Sequence, residues 1–223
     1  MIKFTIAKEN TLRGKIVYLF LKMIIAPIVR LVWVKKITGQ ENLPKTGPFI
    51  IAANHQGYFD FISLVCVLPD KLTFLAAEKF FASRFWRPIM EYTGQIKVER
   101  YSGDNKDKAA ALALKVLECG KVLAIFPQGT RSRTGEIGQT YTGVAKFALE
   151  AGAPVVPIGI KGTFEVMPPS AKKPRTKKII ELHIGKPMEF DGPQTPEVYR
   201  RITDEIMAEV ARLAGLTLFQ KTL

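Results

Sequence analysis

The chain has 223 residues, 47% of them hydrophobic, enough to bury a full single-domain core, and no Pro/Ser-rich linker, low-complexity tract or internal repeat divides it. Its net charge of +13 calls for an anionic partner, either nucleic acid or an anionic membrane surface. No cluster of Cys, His and acidic residues has metal-ligand spacing, and neither a Walker loop nor a Gly-x-Gly-x-x-Gly fingerprint occurs, which sets aside zinc and the commonest nucleotide sites.

Residues 12–34 are strongly apolar, but Lys22 and Arg30 interrupt them and Pro27 lies between. No run approaches the ~18–20 apolar residues that a bilayer-spanning helix needs. Lys8, Lys15, Lys22 and Lys36 recur at multiples of seven and would form one stripe of a helix, with Leu19, Phe20, Met23, Ile24, Ile28 and Leu31 covering the rest. This pattern predicts an N-terminal amphipathic helix, residues 1–38, lying at the lipid–water interface with its lysines at anionic headgroups and Trp33 at the boundary. A helix packed into the core is the plainer alternative. A signal peptide fits less well, because Lys22 breaks the apolar region and no small-residue cleavage site follows.

Beyond this helix, short apolar runs alternate with helical ones. Strands are predicted at 49–53, 72–76, 95–99, 122–126, 155–160 and 178–184, and helices at 58–68, 83–92, 105–118, 143–150 and 197–214. Gly120 marks a helix stop. Residues 166–178, rich in Pro and Lys, read as a surface loop. The alternation predicts a single α/β domain, residues 39–223, with helices flanking a mostly parallel sheet. Cys66 and Cys119 are expected to be reduced core residues rather than a bridge, in keeping with a cytosolic setting.

Two loops carry the chemistry. Asn54-His55-Gln56-Gly57-Tyr58-Phe59-Asp60 follows the 49–53 run and holds one of the two histidines of the chain. A carboxylate beside an imidazole fixes its tautomer and stabilises the imidazolium once a proton is taken, which is what a general base requires. On this segment alone, a helix-start Asp and a hydrogen-bonded His are an equally good reading. Phe126-Pro127-Gln128-Gly129-Thr130-Arg131-Ser132 follows the 122–126 run, and its donors suit an anionic group, with Arg131 able to fork onto phosphate. An ordinary polar turn with a solvated Arg is the alternative. In an open parallel sheet, ligands bind beyond the carboxyl ends of strands, where both loops fall.

Taken together and in this order, the two segments resemble the glycerolipid acyltransferase family, in which His, four residues and Asp precede Phe-Pro-Glu-Gly-Thr-Arg-Ser. Six of those last seven residues are present here, with Gln128 in place of Glu. Gly94-Gln95-Ile96-Lys97-Val98-Glu99-Arg100 and Val155-Val156-Pro157-Ile158-Gly159-Ile160 are similar to two further blocks of the family, and the resemblance spans roughly residues 40–190.

The resemblance implies transfer of a fatty acyl chain from acyl-CoA or an acyl-carrier protein to the sn-2 hydroxyl of lysophosphatidic acid, giving phosphatidic acid. No bound cofactor or metal is implied. His55 would be the base and Asp60 its orienting partner. Arg100, Gln128, Gly129, Thr130 and Arg131 would bind substrate, a backbone N–H near Gly129 serving the thioester oxygen. Lys79 is left without a catalytic role because its register is ambiguous, and His183, on a late strand, is read as structural. The expected partners are a lysophospholipid acceptor, an acyl thioester donor and an anionic membrane surface, with no nucleic acid. The expected location is peripheral or monotopic on the cytoplasmic face of the cell membrane. The alternatives are another lysolipid acceptor, or a non-catalytic basic protein that binds lipid or nucleic acid; no nucleic-acid reading module is recognisable.

Overall fold

A computed structural model describes residues 11–68, 71–98 and 103–218. The fold is organised by one seven-stranded sheet in the order β1-β7-β6-β2-β5-β3-β4. The strands are β1 (Val34–Thr38), β2 (Phe49–Ala53), β3 (Leu72–Ala77), β4 (Ile96–Val98), β5 (Val122–Ile125), β6 (Val155–Lys161) and β7 (Ile180–Ile184). Every pairing is parallel except that of β6 with β7. Parallel strands need crossover helices, and those helices cover both faces of the sheet. That is why β2 reads Phe-Ile-Ile-Ala-Ala with all five residues buried and no polar alternation.

Successive residues of β2 nonetheless face two different cores. Ile50 and Ala52, with Leu123, Ile125 and Val155, pack against Val116 and Leu117, Val144 and Phe147, and Ile206 and Val210. Those residues belong to helices Gly103–Glu118, Gly143–Ala151 and Pro196–Ala214. Phe49, Ile51 and Ala53, with Ala124 and Val156, pack against Val29, Phe59, Leu64 and Val166 on the opposite face.

The N-terminal helix runs from Leu12 to Phe20, passes through a π-helical turn at Leu21–Ile25, and continues from Ala26 to Val32. Pro27 sits in the first turn of the last segment, where a missing N–H costs least. Ala26 and Val29 point into the core. The opposite side leaves Leu12, Ile16, Leu19, Phe20, Met23, Ile24, Ile28 and Leu31 exposed.

Lys22 differs from its expected place among headgroups. Its ammonium donates to the Leu68 carbonyl and lies over the Tyr18 ring, on the inner side of the helix. Lys8 lies outside the described residues, and Lys36 is in β1 rather than in the helix. Residues 34–38 therefore belong to the sheet, as an edge strand parallel to β7, and the helix stops at Val32. Among the described residues no helix is long and apolar enough to cross a membrane.

Two short helices, Glu78–Ala82 and Thr163–Val166, were below the length at which periodicity can be read. The strand predicted at 95–99 is Ile96–Val98, and its last predicted residue lies outside the described residues. Cys119 is exposed rather than in the core. Cys66 is half-buried, and burial pushes its thiol up to about 11.

The C-terminal helix lies directly on β6 at Gly159, where a Cβ would come within 2.3 Å of the Ala214 nitrogen and 2.4 Å of the Leu213 carbonyl carbon. Both are backbone atoms, so the helix itself would have to move. Gly159→Ala is expected to destabilise the fold by about 1–3 kcal/mol, read as a lowered urea midpoint with an unchanged slope.

Candidate active site

β2 and β5 are neighbours, in parallel register with Ala52 opposite Ile125. The chain therefore leaves the sheet twice at the same edge, side by side, and both predicted loops stand there. Asn54 is the first residue beyond β2. Its amide donates to the Ile160 carbonyl at 2.8 Å and accepts from the Ile160 N–H at 2.7 Å, extending the pairing with β6 by one side chain. This anchor fixes where His55 begins.

The turn that follows is held by one carboxylate. Asp60 lies in the first turn of helix Phe59–Val67 and is fully buried. Its Oδ2 accepts from the Gln56 N–H at 2.6 Å and the Gly57 N–H at 2.8 Å, and sits 2.7 Å from His55 Nδ1. Oδ1 is buried without a hydrogen-bond partner among the described residues. With Nδ1 donating to the carboxylate, Nε2 becomes the basic nitrogen of the ring. The imidazole stacks on Phe126, with centroids 4.2 Å apart and planes 14° from parallel, and about 20% of the side chain reaches solvent. Gly57 is required by close approach, since a Cβ there would lie 2.7 Å from the Thr163 carbonyl oxygen and 2.8 Å from that of Met167.

The second loop grips the main chain of His55 on both sides. Gln128 Oε1 accepts the His55 N–H at 2.8 Å, and the Ser132 N–H donates to the His55 carbonyl at 2.8 Å. Gln128 is 5% exposed. Its oxygen thus holds the His55 loop, a task that an amide performs as well as a carboxylate. Gly129 takes φ +64°, and its N–H donates to the Phe126 carbonyl at 2.9 Å. The Gly129 N–H itself is therefore engaged in closing the turn. Thr130 is exposed at the tip of the loop.

Arg131 lies over the Tyr58 ring, 3.7 Å from its centroid, which ties the second loop to the first. Hydrogen bonding to Arg131 draws the Tyr58 hydroxyl below the usual tyrosine range; burial opposes this, and the charges of Arg131 and Lys79 add to it. Nη1 of Arg131 is buried with no hydrogen-bond partner among the described residues. Lys79, in helix Glu78–Ala82, thus bears on the same corner. Arg100 lies outside the described residues. His183 is on β7, with β6 between it and β2, and its Nδ1 meets Thr38 Oγ1 at 2.8 Å.

Sequence reasoning had not singled out Asn54, Tyr58 or Phe126 for a task of their own. Asn54 carried a signal, a polar residue directly continuing a fully apolar run. Tyr58 and Phe126 carried none, because stacking partners come from loops far apart in sequence.

The family model described as acyltransferase matches residues 35–161, so the chain belongs to the acyltransferase family. A 1-acyl-sn-glycerol-3-phosphate acyltransferase of Bacillus subtilis is 31% identical over 155 residues, covering 69% of this chain and 73% of that protein. The chloroplastic 1-acyl-sn-glycerol-3-phosphate acyltransferase BAT2 of Brassica napus is 28% identical over 153 residues, 68% of this chain but only 44% of its own length. The crystal structure of the 1-acyl-sn-glycerophosphate (LPA) acyltransferase PlsC of Thermotoga maritima aligns with a TM-score of 0.71 at 24% identity, covering 90% of this chain and 79% of that one. That likeness establishes the mostly parallel α/β fold.

Asn54→Leu would leave the buried N–H and C=O of Ile160 unpaired. The expected cost is about 2–6 kcal/mol, since each unsatisfied buried group costs roughly 1–3 kcal/mol. Chemical denaturation measures it, and a loss below about 1 kcal/mol would show that the anchor is dispensable.

Proposed function

We propose that this acyltransferase moves a fatty acyl chain from a thioester, acyl-CoA or acyl-carrier protein, to the sn-2 hydroxyl of lysophosphatidic acid, yielding phosphatidic acid. The observation that carries this reading is the contact between His55 Nδ1 and Asp60 Oδ2 at 2.7 Å, made to a carboxylate already held by two backbone amides. The names of the relatives point to the same acceptor.

The acceptor hydroxyl gives its proton to His55 Nε2 while its oxygen attacks the thioester carbonyl carbon. The imidazolium so formed faces Asp60, whose charge stabilises it. Collapse of the tetrahedral intermediate breaks the C–S bond, and the imidazolium returns the proton to the departing sulfur. The acceptor oxygen is itself the nucleophile, so no seryl or cysteinyl intermediate enters. Arg131 takes the acceptor phosphate in this reading, supported by its buried Nη1, which has no hydrogen-bond partner among the described residues, with Thr130 beside it in the loop. Arg100 is the further candidate for that charge.

His55→Ala is expected to cut the conversion of labelled acyl thioester and lysophosphatidate to phosphatidate by roughly 10²–10⁴-fold without unfolding the chain. A folded variant with near-normal turnover would remove His55 from the mechanism.

The exposed apolar side of the N-terminal helix supports residence at the lipid–water interface, as a peripheral or monotopic protein on the cytoplasmic face of the membrane. Leu12, Met23 and Leu31 are 73%, 65% and 71% exposed, a stripe that water does not favour. Replacing Leu19, Met23 and Leu31 together by Ser is expected to release the full-length protein from anionic vesicles in co-sedimentation. Raising salt should weaken binding of the parent chain as well, because each basic residue at an anionic surface contributes about 1 kcal/mol and is screened over roughly 8–10 Å. Binding indifferent to both changes would place the contact elsewhere.

A further inference from the structure

We infer that Gln128 is a positioning residue that sets the pH range over which His55 works, because it clamps the main chain of His55 with a neutral group. This inference rests on the reading of His55 as the base. It is carried by the His55 N–H donating to Gln128 Oε1 at 2.8 Å and by the near-complete burial of the Gln128 side chain. The next peptide group, through the His55 carbonyl, is held by the Ser132 N–H, so the base hangs between two bonds from one loop.

The charged groups at this corner of the site come from several elements. Asp60 contributes a buried carboxylate from the first turn of its helix. Arg131 lies on Tyr58 from the second loop, and Lys79 acts on the same phenol from helix Glu78–Ala82. Phe126 covers one ring face with an uncharged surface. Arg100 lies outside the described residues. Gln128 is buried beside this group and carries no charge. A carboxylate at that place would accept the same N–H and would add a second negative charge bonded to the main chain of the residue that carries the ring. A negative charge so near favours the imidazolium, and an imidazolium cannot accept the hydroxyl proton. A neutral clamp therefore keeps the base available at lower pH.

Two variants separate charge from clamping. Gln128→Glu keeps the shape and an acceptor oxygen and adds charge, whereas Gln128→Met keeps much of the volume and removes the acceptor. The chain has only two histidines, so the His55 ring can be followed by NMR titration of the full-length protein once the His183 signal is assigned with His183→Gln. In Gln128→Glu the protonation midpoint of the His55 ring is expected to rise by about one pH unit, and the acid limb of kcat/KM to rise with it. In Gln128→Met the midpoint should not rise, while kcat should fall roughly 10–100-fold because the base is no longer held in place.

A His55 midpoint unmoved in Gln128→Glu overturns the inference about charge. Full turnover in Gln128→Met overturns the inference about clamping. A midpoint that rises while the acid limb stays in place would show that His55 is not the base, which is failure of the functional reading rather than of the electrostatics.

Discussion

A carboxylate with no exposed surface has lost its water, and it must recover that solvation from donors fixed in the protein. Asp60 recovers it on one oxygen, from the amides of Gln56 and Gly57 and from His55 Nδ1. The amides belong to the turn that carries His55, so solvating the charge and shaping the turn are the same event. The helix beginning at Phe59 helps, since its amino end favours a negative charge in the first turn. The arrangement fixes the tautomer of His55 and leaves Nε2 as the only ring nitrogen able to take a proton.

Everything around this carboxylate serves to hold the turn against the sheet. Asn54 ties its start to β6 through both polar atoms of one side-chain amide. Gly57 lets the carbonyls of Thr163 and Met167 come closer than any side chain would permit. The loop after β5 completes the enclosure from the other direction, with Gln128 and Ser132 bonding the His55 peptide and Phe126 lying flat on the ring. The site is therefore assembled from the ends of adjacent strands, where rigid parallel pairing brings two loops together without long-range flexibility.

The surface divides by chemistry in the same economical way. The N-terminal helix uses Ala26 and Val29 to pack on the sheet and leaves its large apolar side chains outward. Lys22, interrupting that apolar run, is turned inward to the Leu68 carbonyl, so the outward side is more uniformly apolar than the sequence suggests. Lys22 lies within a π-helical turn, Leu21–Ile25, where the helix departs from its regular repeat. An exposed apolar stripe and a core-facing stripe then coexist on one helix.

The order of strands and helices, the two loops and the pairing of His55 with Asp60 were legible in the sequence. Each is a local pattern: an apolar run of five, a break, and polar residues at short spacing. The edge strand Val34–Thr38 was not legible, because two lysines and the preceding apolar helix mask a strand whose partner, β7, lies far along the chain. The engagement of the Gly129 N–H, the two-sided clamp on His55 and the stacking on Phe126 were likewise decided only by tertiary structure. Residue types state which groups can donate or accept. Which of them meet is set by the parallel register of β2 and β5, and sheet register is a long-range property that no local window contains.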